Sequence, residues 1–425
     1  MITGVGWAVG LVGLILAAAA CASDGPRPAA LPTPIPAALD RPFPGVITLQ
    51  VDATDNTRRI IRVRESIPVA GGKDMVLLYP AWMPGTHGPG GPIDRLAGLT
   101  LTADGKDVAW TRDTVDVSAF HVRPPAGAHR LDVQFQFLAG GAAAYGGTDF
   151  SSGVALLEWI NLAVYPAGYF TRDILVDASL SVPDGWSFAT AMERDGGAGS
   201  SATFKRTTFE TLADSPVFAG RYAKTYDLAA AGAPPVRLNA FADRPEQLPA
   251  KPEQIELHRA LVAQAGKLFG SHHYDHYDFL VALSDRFSSN GLEHHRSSED
   301  SVGTDYFSTW EKSSSLRDLL AHEYTHSWNG KFRRPADLWT ATFNTPMQDG
   351  LLWVYEGQTQ YWGLVLAARA GLLTKVQFLD DLALMAAYDQ ALPGRVWRPL
   401  QDTTNDEILF LAKSRPWSSW QRQVD

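Results

Sequence analysis

Residues 319–326 read Leu-Leu-Ala-His-Glu-Tyr-Thr-His, and this stretch predicts a helix that carries a metal site. His322 and His326 lie four positions apart, so on a helix both imidazoles project from the same face. Two imidazoles at this spacing can hold one Zn²⁺ at about 2.0–2.1 Å each. Glu323 follows the first histidine, where it can approach a zinc-bound water without being a ligand and act as general base.

A third metal ligand is available thirty positions after His326. Glu356 opens a second predicted helix, which follows the helix of the two histidines. A carboxylate beside two histidines completes a His₂Glu catalytic site and leaves the fourth position for water. Asp349 is a weaker candidate because it sits in an Asp-Gly turn.

The chain around this motif is predicted to be mainly helical. An apolar stripe from Ile255 to Leu268 has helical spacing, and Gly270 is a typical helix stop. Further helices are expected over 315–328, 352–371 and 376–391.

The preceding half has the pattern of strands. Between Leu131 and Phe137, apolar and polar residues alternate with the period of two that marks a half-buried strand. The stretch 243–252 is rich in proline and suits an interdomain linker. The expected fold class is therefore α+β, with an antiparallel, sandwich-like β domain over 44–242 and a zinc domain over 253–425.

Composition narrows the function classes. The 425 residues carry a formal net charge of −9 and are 45% hydrophobic, which is the balance of a globular chain. An acidic chain without a basic face is a poor candidate for binding nucleic acid. A single cysteine excludes an intramolecular disulfide and a Cys-rich metal site.

The N-terminus predicts export. Residues 1–20 are mostly apolar and uncharged, which is typical of a signal peptide, although a single membrane-spanning anchor is the alternative. Cys21 directly follows Ala18-Ala19-Ala20, and this resembles the lipobox of bacterial lipoproteins. The resemblance implies a lipid on Cys21, a tether over 21–43, attachment to a membrane surface and a place in the bacterial cell envelope or periplasm.

Several motifs resemble one family. The segments His322–Lys331, Arg334–Leu338 and Leu352–Tyr361 are similar to the glycyl aminopeptidase family of zinc metallopeptidases. The segments Tyr79–Gly85 and Leu212–Gly220 resemble signatures of the family's β domain. These enzymes are gluzincins, with a thermolysin-like catalytic domain behind an N-terminal β domain and often a C-terminal PDZ domain.

The resemblance implies one zinc ion per chain, bound by His322, His326 and Glu356, with Glu323 as the base. It also implies that the substrates are peptides with a free N-terminus and that small N-terminal residues, Gly or Ala, are removed.

A substrate-binding segment is implied by a second motif. Asn290–His294 resembles the Gly-x-x-Glu segment that gluzincin aminopeptidases place along the substrate, although Asn290 stands where the first glycine is expected. In the family, this glutamate pairs with the substrate's α-amine, a role that falls here to Glu293, with Gly291 and Leu292 beside it. A carboxylate near the zinc selects a cationic N-terminus and sets the register of cleavage.

The basic run from Lys331 to Arg334 is expected to form a solvated face or a charge pattern at a helix C-terminus. His294 and His295 are expected to shape the cleft rather than to bind metal.

The chain departs from the family at its end. Family members continue beyond Asp425, so the sequence predicts an incomplete catalytic domain without a PDZ domain. The family's oxyanion-stabilising tyrosine has no clear equivalent here; Tyr361 and Tyr388 are possible substitutes, though more typical of core aromatics. The leading hypothesis is a zinc aminopeptidase. The alternatives are a catalytically impaired, gluzincin-like lipoprotein that binds peptides or a partner protein, and an endopeptidase.

Overall fold

The fold is taken from a computed structural model, which describes residues 28–140, 147–229, 232–287, 290–312 and 314–410. The predicted signal peptide, Cys21 and the tail 411–425 lie outside these residues. Within them, no helix combines the length and the apolar character that crossing a membrane requires.

The N-terminal half is built of strands. In chain order they are β1 (Val46–Asp55), β2 (Ile60–Pro68), β3 (Met75–Leu78), β4 (Leu96–Ala103), β5 (Lys106–Asp107), β6 (Trp110–Arg112), β7 (Ala119–Val122), β8 (Arg130–Leu138), β9 (Asp149–Phe150), β10 (Val154–Leu157), β11 (Tyr165–Pro166), β12 (Leu175–Ser181), β13 (Ser187–Thr190), β14 (Arg194–Gly196), β15 (Ser201–Phe204), β16 (Thr207–Thr208) and β17 (Val217–Gly220).

These strands form three sheets around a shared core. A nine-stranded sheet runs β14-β15-β12-β1-β2-β8-β4-β5 with β16 beside β12, and two four-stranded sheets run β13-β17-β10-β9 and β11-β3-β7-β6. Strand β8 buries alternate residues, as its period of two predicts. The pairing is antiparallel as expected, except that β1 and β12 run parallel. Large buried side chains such as Phe120, Phe137 and Trp159 belong to the one core.

A second sheet system begins before the predicted linker. Strands β18 (Tyr222–Asp227), β19 (Val236–Ala242), β20 (Tyr277–Leu283), β21 (Asn290–Glu293) and β22 (Ser297–Val302) form one mixed sheet in the order β18-β19-β20-β22-β21. This sheet crosses the predicted boundary at 242, since β19 pairs in parallel with β20.

The helices lie mainly in the C-terminal half. They are α1 (Phe209–Ala213), α2 (Pro252–Phe269), α3 (Leu319–His326), α4 (Gln358–Ala370), α5 (Lys375–Ala391) and α6 (Asp406–Phe410). Helix α2 buries Ile255, His258, Leu261, Val262 and Ala265 of the predicted stripe, leaves Leu268 half-buried, and ends at Gly270 in the left-handed conformation. Helix α5 matches its predicted span within one residue.

Two predicted helices are divided in the structure. The span 315–328 begins within a 3₁₀ turn, Ser314–Leu316, which precedes α3. The span 352–371 opens with a five-residue π-helical turn, Trp353–Gly357, before α4. Together, these elements give a sheet-rich N-terminal half and a C-terminal half that is helical apart from one mixed sheet.

Helix α3 is almost entirely buried. Every residue from Leu320 to His326 is inaccessible to solvent or nearly so. Leu320, Ala321 and Tyr324 join a core shared with α2 and β20. Helix α4 crosses α3 closely, because a side-chain carbon at Gly363 would lie 2.8 Å from the Cα of His322. The backbone of the predicted metal helix is therefore tightly held.

Candidate metal centre

Three ligand atoms meet where α3 faces the π-helical turn. His326 Nε2 lies 3.0 Å from His322 Nε2. Glu356 Oε2 lies 3.2 Å from the first of these nitrogens and 3.4 Å from the second. The structure thus brings together the three ligands predicted from the sequence. These three atoms, Nε2 of His322, Nε2 of His326 and Oε2 of Glu356, form the metal triangle.

The spacing of these atoms fits a tetrahedral zinc ion. Ligands about 2.0–2.1 Å from a tetrahedral centre lie about 3.3 Å from one another. The three observed separations bracket this value. Two imidazole nitrogens and one carboxylate oxygen also form the donor set that catalytic zinc sites use.

The hydrogen-bond partner of Nδ1 determines which tautomer of each histidine is present. His326 Nδ1 lies 3.1 Å from the carbonyl oxygen of Asn329, which can only accept a hydrogen bond. His322 Nδ1 donates to Gln360 Oε1 at 2.7 Å, and Gln360 in turn donates to Asp318. With the protons on Nδ1, both Nε2 lone pairs point into the triangle and are free to bind a metal.

The π-helical turn places two consecutive side chains inward. Tyr355 and Glu356 are both buried there, and π turns often occur at functional sites. Although burial acts to raise the pKa of Glu356, its contacts with His326, His322 and His87 hold this pKa well below its usual value. Glu356 is therefore an ionised carboxylate, as a metal ligand must be.

Glu323 lies beside the triangle. One ligand-type atom from each of His322, Glu323 and His326 lies within 4.8 Å of the others. Burial raises the pKa of Glu323 well above its usual value, and the negative charges of Glu293 and Asp300 add to this effect. The carboxyl group is thus poised to hold a proton more readily than an ordinary glutamate.

Gly291 makes room for this carboxyl group. A side-chain carbon added at Gly291 would lie 1.9 Å from Glu323 Oε1 and 2.3 Å from its Cδ. A glycine is therefore required in β21, where the backbone passes close to Glu323.

Replacing Gly291 with Ala is expected to displace Glu323 and leave the metal ligands in place. Because the added methyl group overlaps the carboxyl group and not the triangle, we expect kcat to fall about 10²-fold or more with zinc content unchanged. Steady-state kinetics and zinc analysis of the purified variant measure both quantities. A variant that keeps parental kcat would show that the position of Glu323 does not matter.

Glu293 is fixed close to the ligands by a tyrosine. The hydroxyl group of Tyr355 donates to Glu293 Oε1 at 2.5 Å, and the Tyr355 ring packs against His326 with centroids 5.0 Å apart. Burial acts to raise the pKa of Glu293, but the neighbouring His326 imidazole and the positive charge of Lys331 hold it below its usual value. A buried, ionised carboxylate thus lies close to the metal triangle, with only the Tyr355 side chain linking the two.

Glu293 borders a cavity of about 350 Å³ between the two halves of the chain. The N-terminal half contributes Met83–His87, Glu210 and Ala213–Ser215, and the C-terminal half contributes Leu292–Arg296. His294 and His295 line this cavity, as predicted, and so does Leu292. Glu293 and Tyr355 connect this cavity to the metal triangle, whereas His322, Glu323, His326 and Glu356 do not line it. A cavity of this kind is where a substrate would bind.

A charge network in the lining of this cavity joins the two halves. Asp214, from the N-terminal half, accepts hydrogen bonds from Lys331 Nζ at 2.7 Å and from the backbone N–H of His295 at 2.9 Å. The side chain of Lys331 is only 3% exposed. The prediction of a solvated basic face is therefore wrong for Lys331, because this side chain is buried and the carboxylate of Asp214, from the other half of the chain, neutralises it.

His294 is the cation at the centre of this network. Its Nδ1 and Nε2 each lie 3.2 Å from a carboxylate oxygen, of Asp214 and Glu299 respectively. Carboxylates only accept hydrogen bonds, so both nitrogens must carry protons. Burial acts to lower the pKa of His294, but these hydrogen bonds raise it to about 9.

The chain is therefore expected to lose stability above neutral pH. Because the pKa of His294 is raised on folding from 6.5 to about 9, the stabilisation is complete below pH 6.5 and is lost as pH rises through about 9. The full effect is roughly 2–4 kcal/mol. Thermal unfolding midpoints of the parent and His294→Gln between pH 6 and 9.5 test this; identical slopes for the two proteins would contradict it.

The sequence did not identify one residue of the site, His87. Its Nε2 lies 2.6 Å from Glu356 Oε1, although 269 positions separate the two residues. No local pattern marks His87, because only the tertiary fold brings it to Glu356. Tyr355 lies in the segment Leu352–Tyr361, but nothing in the sequence predicts its contact with Glu293.

The remaining candidates lie elsewhere. Asp349 is buried in the 3₁₀ turn before the π-helical turn, but it is not one of the three atoms that form the triangle. Tyr361 and Tyr388 are 54% and 51% exposed, so neither is a core aromatic. Within the described residues, Tyr355 is a tyrosine that contacts the site directly.

Two family models match this chain. The model of the M61 glycyl aminopeptidase matches residues 315–425, and the model of the peptidase M61 N-terminal domain matches residues 48–221. A sequence comparison with curated proteins gives no match.

Solved structures share the fold. An aminopeptidase N family protein from Idiomarina loihiensis is similar at 19% identity and a TM-score of 0.73, over 89% of this chain. This chain spans 63% of the length of that structure. A variant of the M1 zinc metallopeptidase from Deinococcus radiodurans is similar at 15% identity and a TM-score of 0.50, over 91% of this chain and 81% of that one.

The two family models describe successive parts of one architecture, and together they match more than half of this chain. The range matched by the first model includes the metal helix α3 and the π-helical turn, and the range matched by the second includes the loop that carries His87. The chain belongs to the M61 glycyl aminopeptidase family of metallopeptidases.

Proposed function

We propose that this chain is a zinc-dependent aminopeptidase that removes small N-terminal residues, Gly or Ala, from peptides. The observation that carries the proposal is that Tyr355 contacts both a metal ligand, His326, and the buried carboxylate Glu293. On one side its ring packs against His326 of the metal triangle, and on the other its hydroxyl group binds the buried carboxylate Glu293. A metal triangle and a single amine-binding carboxylate held side by side suit removal of one residue at a time.

His322, His326 and Glu356 would hold one zinc ion per chain. When bound in such a site, zinc polarises the scissile carbonyl and lowers the pKa of a water molecule. The fit of the three ligand atoms to a tetrahedral face supports zinc as the metal.

Glu323 is proposed to carry the proton. Its carboxylate accepts a proton from the attacking water as the new C–O bond forms at the scissile carbonyl carbon. When the C–N bond breaks, Glu323 gives that proton to the leaving amine nitrogen. Burial suits both steps, because it raises the pKa of Glu323 towards the range in which a group both accepts and donates protons.

Glu293 is proposed to bind the α-amine of the substrate. The carboxylate is ionised and buried, and it borders the cavity between the two halves. A charge-assisted hydrogen bond to an ammonium group would place the first peptide bond of the substrate beside the triangle. The preference for Gly or Ala comes from family membership alone.

Substrates with a free or a blocked N-terminus separate this proposal from its alternatives. We expect the zinc-loaded protein to hydrolyse alanyl anilides and not N-acetyl-alanyl anilides, and Glu293→Gln to lose most of this discrimination. Equal cleavage of both substrates would identify an endopeptidase. Peptide binding without any cleavage, before and after chelation, would identify a catalytically impaired binding protein.

We further propose that the chain is exported and anchored to the cell envelope by a lipid on Cys21. This part of the proposal rests on the sequence of residues 1–21.

A further inference from the structure

His87 reaches the metal centre from the N-terminal half of the chain. It follows the 3₁₀ turn Pro84–Thr86, in the loop between β3 and β4. Its backbone has a φ of +48°, in the left-handed region, which histidine tolerates better than most residues. A conformation of this kind persists where the surrounding structure holds it.

Contacts with the C-terminal half hold this loop in place. The backbone N–H groups of Ala81 and Trp82 donate to the carbonyl oxygen of Phe343 at 3.0 and 2.7 Å. Gly85 lies directly against Leu292 of β21, since a side-chain carbon there would come within 1.8 Å of the leucine. The imidazole of His87 is therefore aimed by a loop that is itself fixed to the catalytic half.

The two oxygens of Glu356 are shared between His87 and the metal triangle. Oε1 lies 2.6 Å from His87 Nε2, whereas Oε2 faces the Nε2 atoms of His322 and His326. An ionised carboxylate only accepts hydrogen bonds, so His87 Nε2 must carry a proton and has no lone pair to offer a metal. His87 thus contacts a predicted ligand without being one.

The ring of His87 is also fixed. It meets Tyr355 edge to face, with ring centroids 5.0 Å apart, and it is buried. The Tyr355 ring also packs against His326. His87, Tyr355 and the metal triangle therefore form one packed unit. Such an arrangement limits rotation of the Glu356 carboxylate.

We propose that His87 is a positioning residue for the metal centre: by binding Oε1 of Glu356, it directs Oε2 at the zinc, so that zinc affinity depends on the N-terminal half of the chain. This inference rests on the zinc site of the proposed function. It adds a group, from a domain without metal ligands, that holds a ligand in its binding orientation. Hydrogen bonds to metal ligands are typically worth 10- to 100-fold in metal affinity.

Zinc affinity of the full chain tests this directly, by competition with a chromophoric chelator. We expect His87→Ala to bind zinc about 10- to 100-fold more weakly than the parent. His87→Gln, which retains a donor near the position of Nε2, should recover much of the loss. His121→Ala is the matched control, because His121 also binds a carboxylate, Asp113, in the N-terminal half but on β7. It should bind zinc like the parent.

Cobalt substitution tests whether His87 is itself a ligand. We expect parent and His87→Gln to give the same cobalt(II) absorption spectrum, since the ligand set is unchanged. A different spectrum would make His87 a ligand and overturn the proposal, as would parental zinc affinity in His87→Ala. A parent chain that binds no zinc would instead overturn the proposed function, so the two failures are distinguishable.

Discussion

Replacing Glu323 with Gln is expected to lower kcat by about 10²–10⁴-fold, which is the usual contribution of a general base. Gln keeps the size of the side chain and can still form hydrogen bonds, but it cannot accept a proton from water. Because Glu323 contributes no atom to the metal triangle, zinc content should stay at the parental level. Steady-state hydrolysis of an alanyl anilide, with zinc analysis of the same samples, measures both.

The control for this change is another buried carboxyl group. Glu65 is buried in the N-terminal half, where it accepts a hydrogen bond from the backbone N–H of Val164. Burial raises the pKa of Glu65 to about 8, so it is largely uncharged at neutral pH. Glu65→Gln should therefore retain full turnover. If Glu323→Gln turned over substrate within about tenfold of this control, Glu323 would not be the base.

Replacing His326 with Ala is expected to remove one of three zinc ligands. Structural zinc sites with four ligands bind with roughly 10–16 kcal/mol, or about 3–4 kcal/mol per ligand, which predicts a loss of roughly 10²–10³-fold in affinity. At nanomolar zinc the variant should be metal-free and inactive. Zinc titration against a competing chelator, followed by assay at each zinc concentration, gives the affinity and the activity together.

His258→Ala provides the comparison for this loss. His258 is fully buried in α2, and its nitrogens bond to the Gln254 carbonyl oxygen and to Tyr306. Its removal should lower the unfolding temperature and leave zinc affinity unchanged. Equal zinc affinities for His326→Ala and His258→Ala would exclude His326 from the metal site.

The local patterns of the sequence were sufficient for much of this description. Residues four apart share a face of any helix, so the spacing of His322 and His326 was enough to predict that their imidazoles meet. The structure places their Nε2 atoms 3.0 Å apart. Glu356 was identified from its motif, and the structure adds that a π-helical turn presents it. Elements with a strong period, such as α2 and β8, have the burial patterns that the period predicts.

What the sequence did not predict depends on contacts between distant segments. Asp214 reaches Lys331, and His87 reaches Glu356, only because the two halves of the chain pack together. The parallel pairing of β1 with β12 joins strands more than a hundred residues apart. Side-chain periodicity in a strand reports burial and not the identity of its partner. For the same reason, it did not reveal that β19 pairs with β20 across the predicted linker.

The central claim is that the triangle of His322, His326 and Glu356 holds a zinc ion that is used for peptide hydrolysis. Turnover of glycyl and alanyl anilides by the parent chain, measured with zinc bound, after chelation and after zinc is restored, tests this claim most directly. We expect one zinc ion per chain and hydrolysis that disappears on chelation and returns with zinc. Fully zinc-loaded protein whose turnover does not exceed that of Glu323→Gln would contradict it.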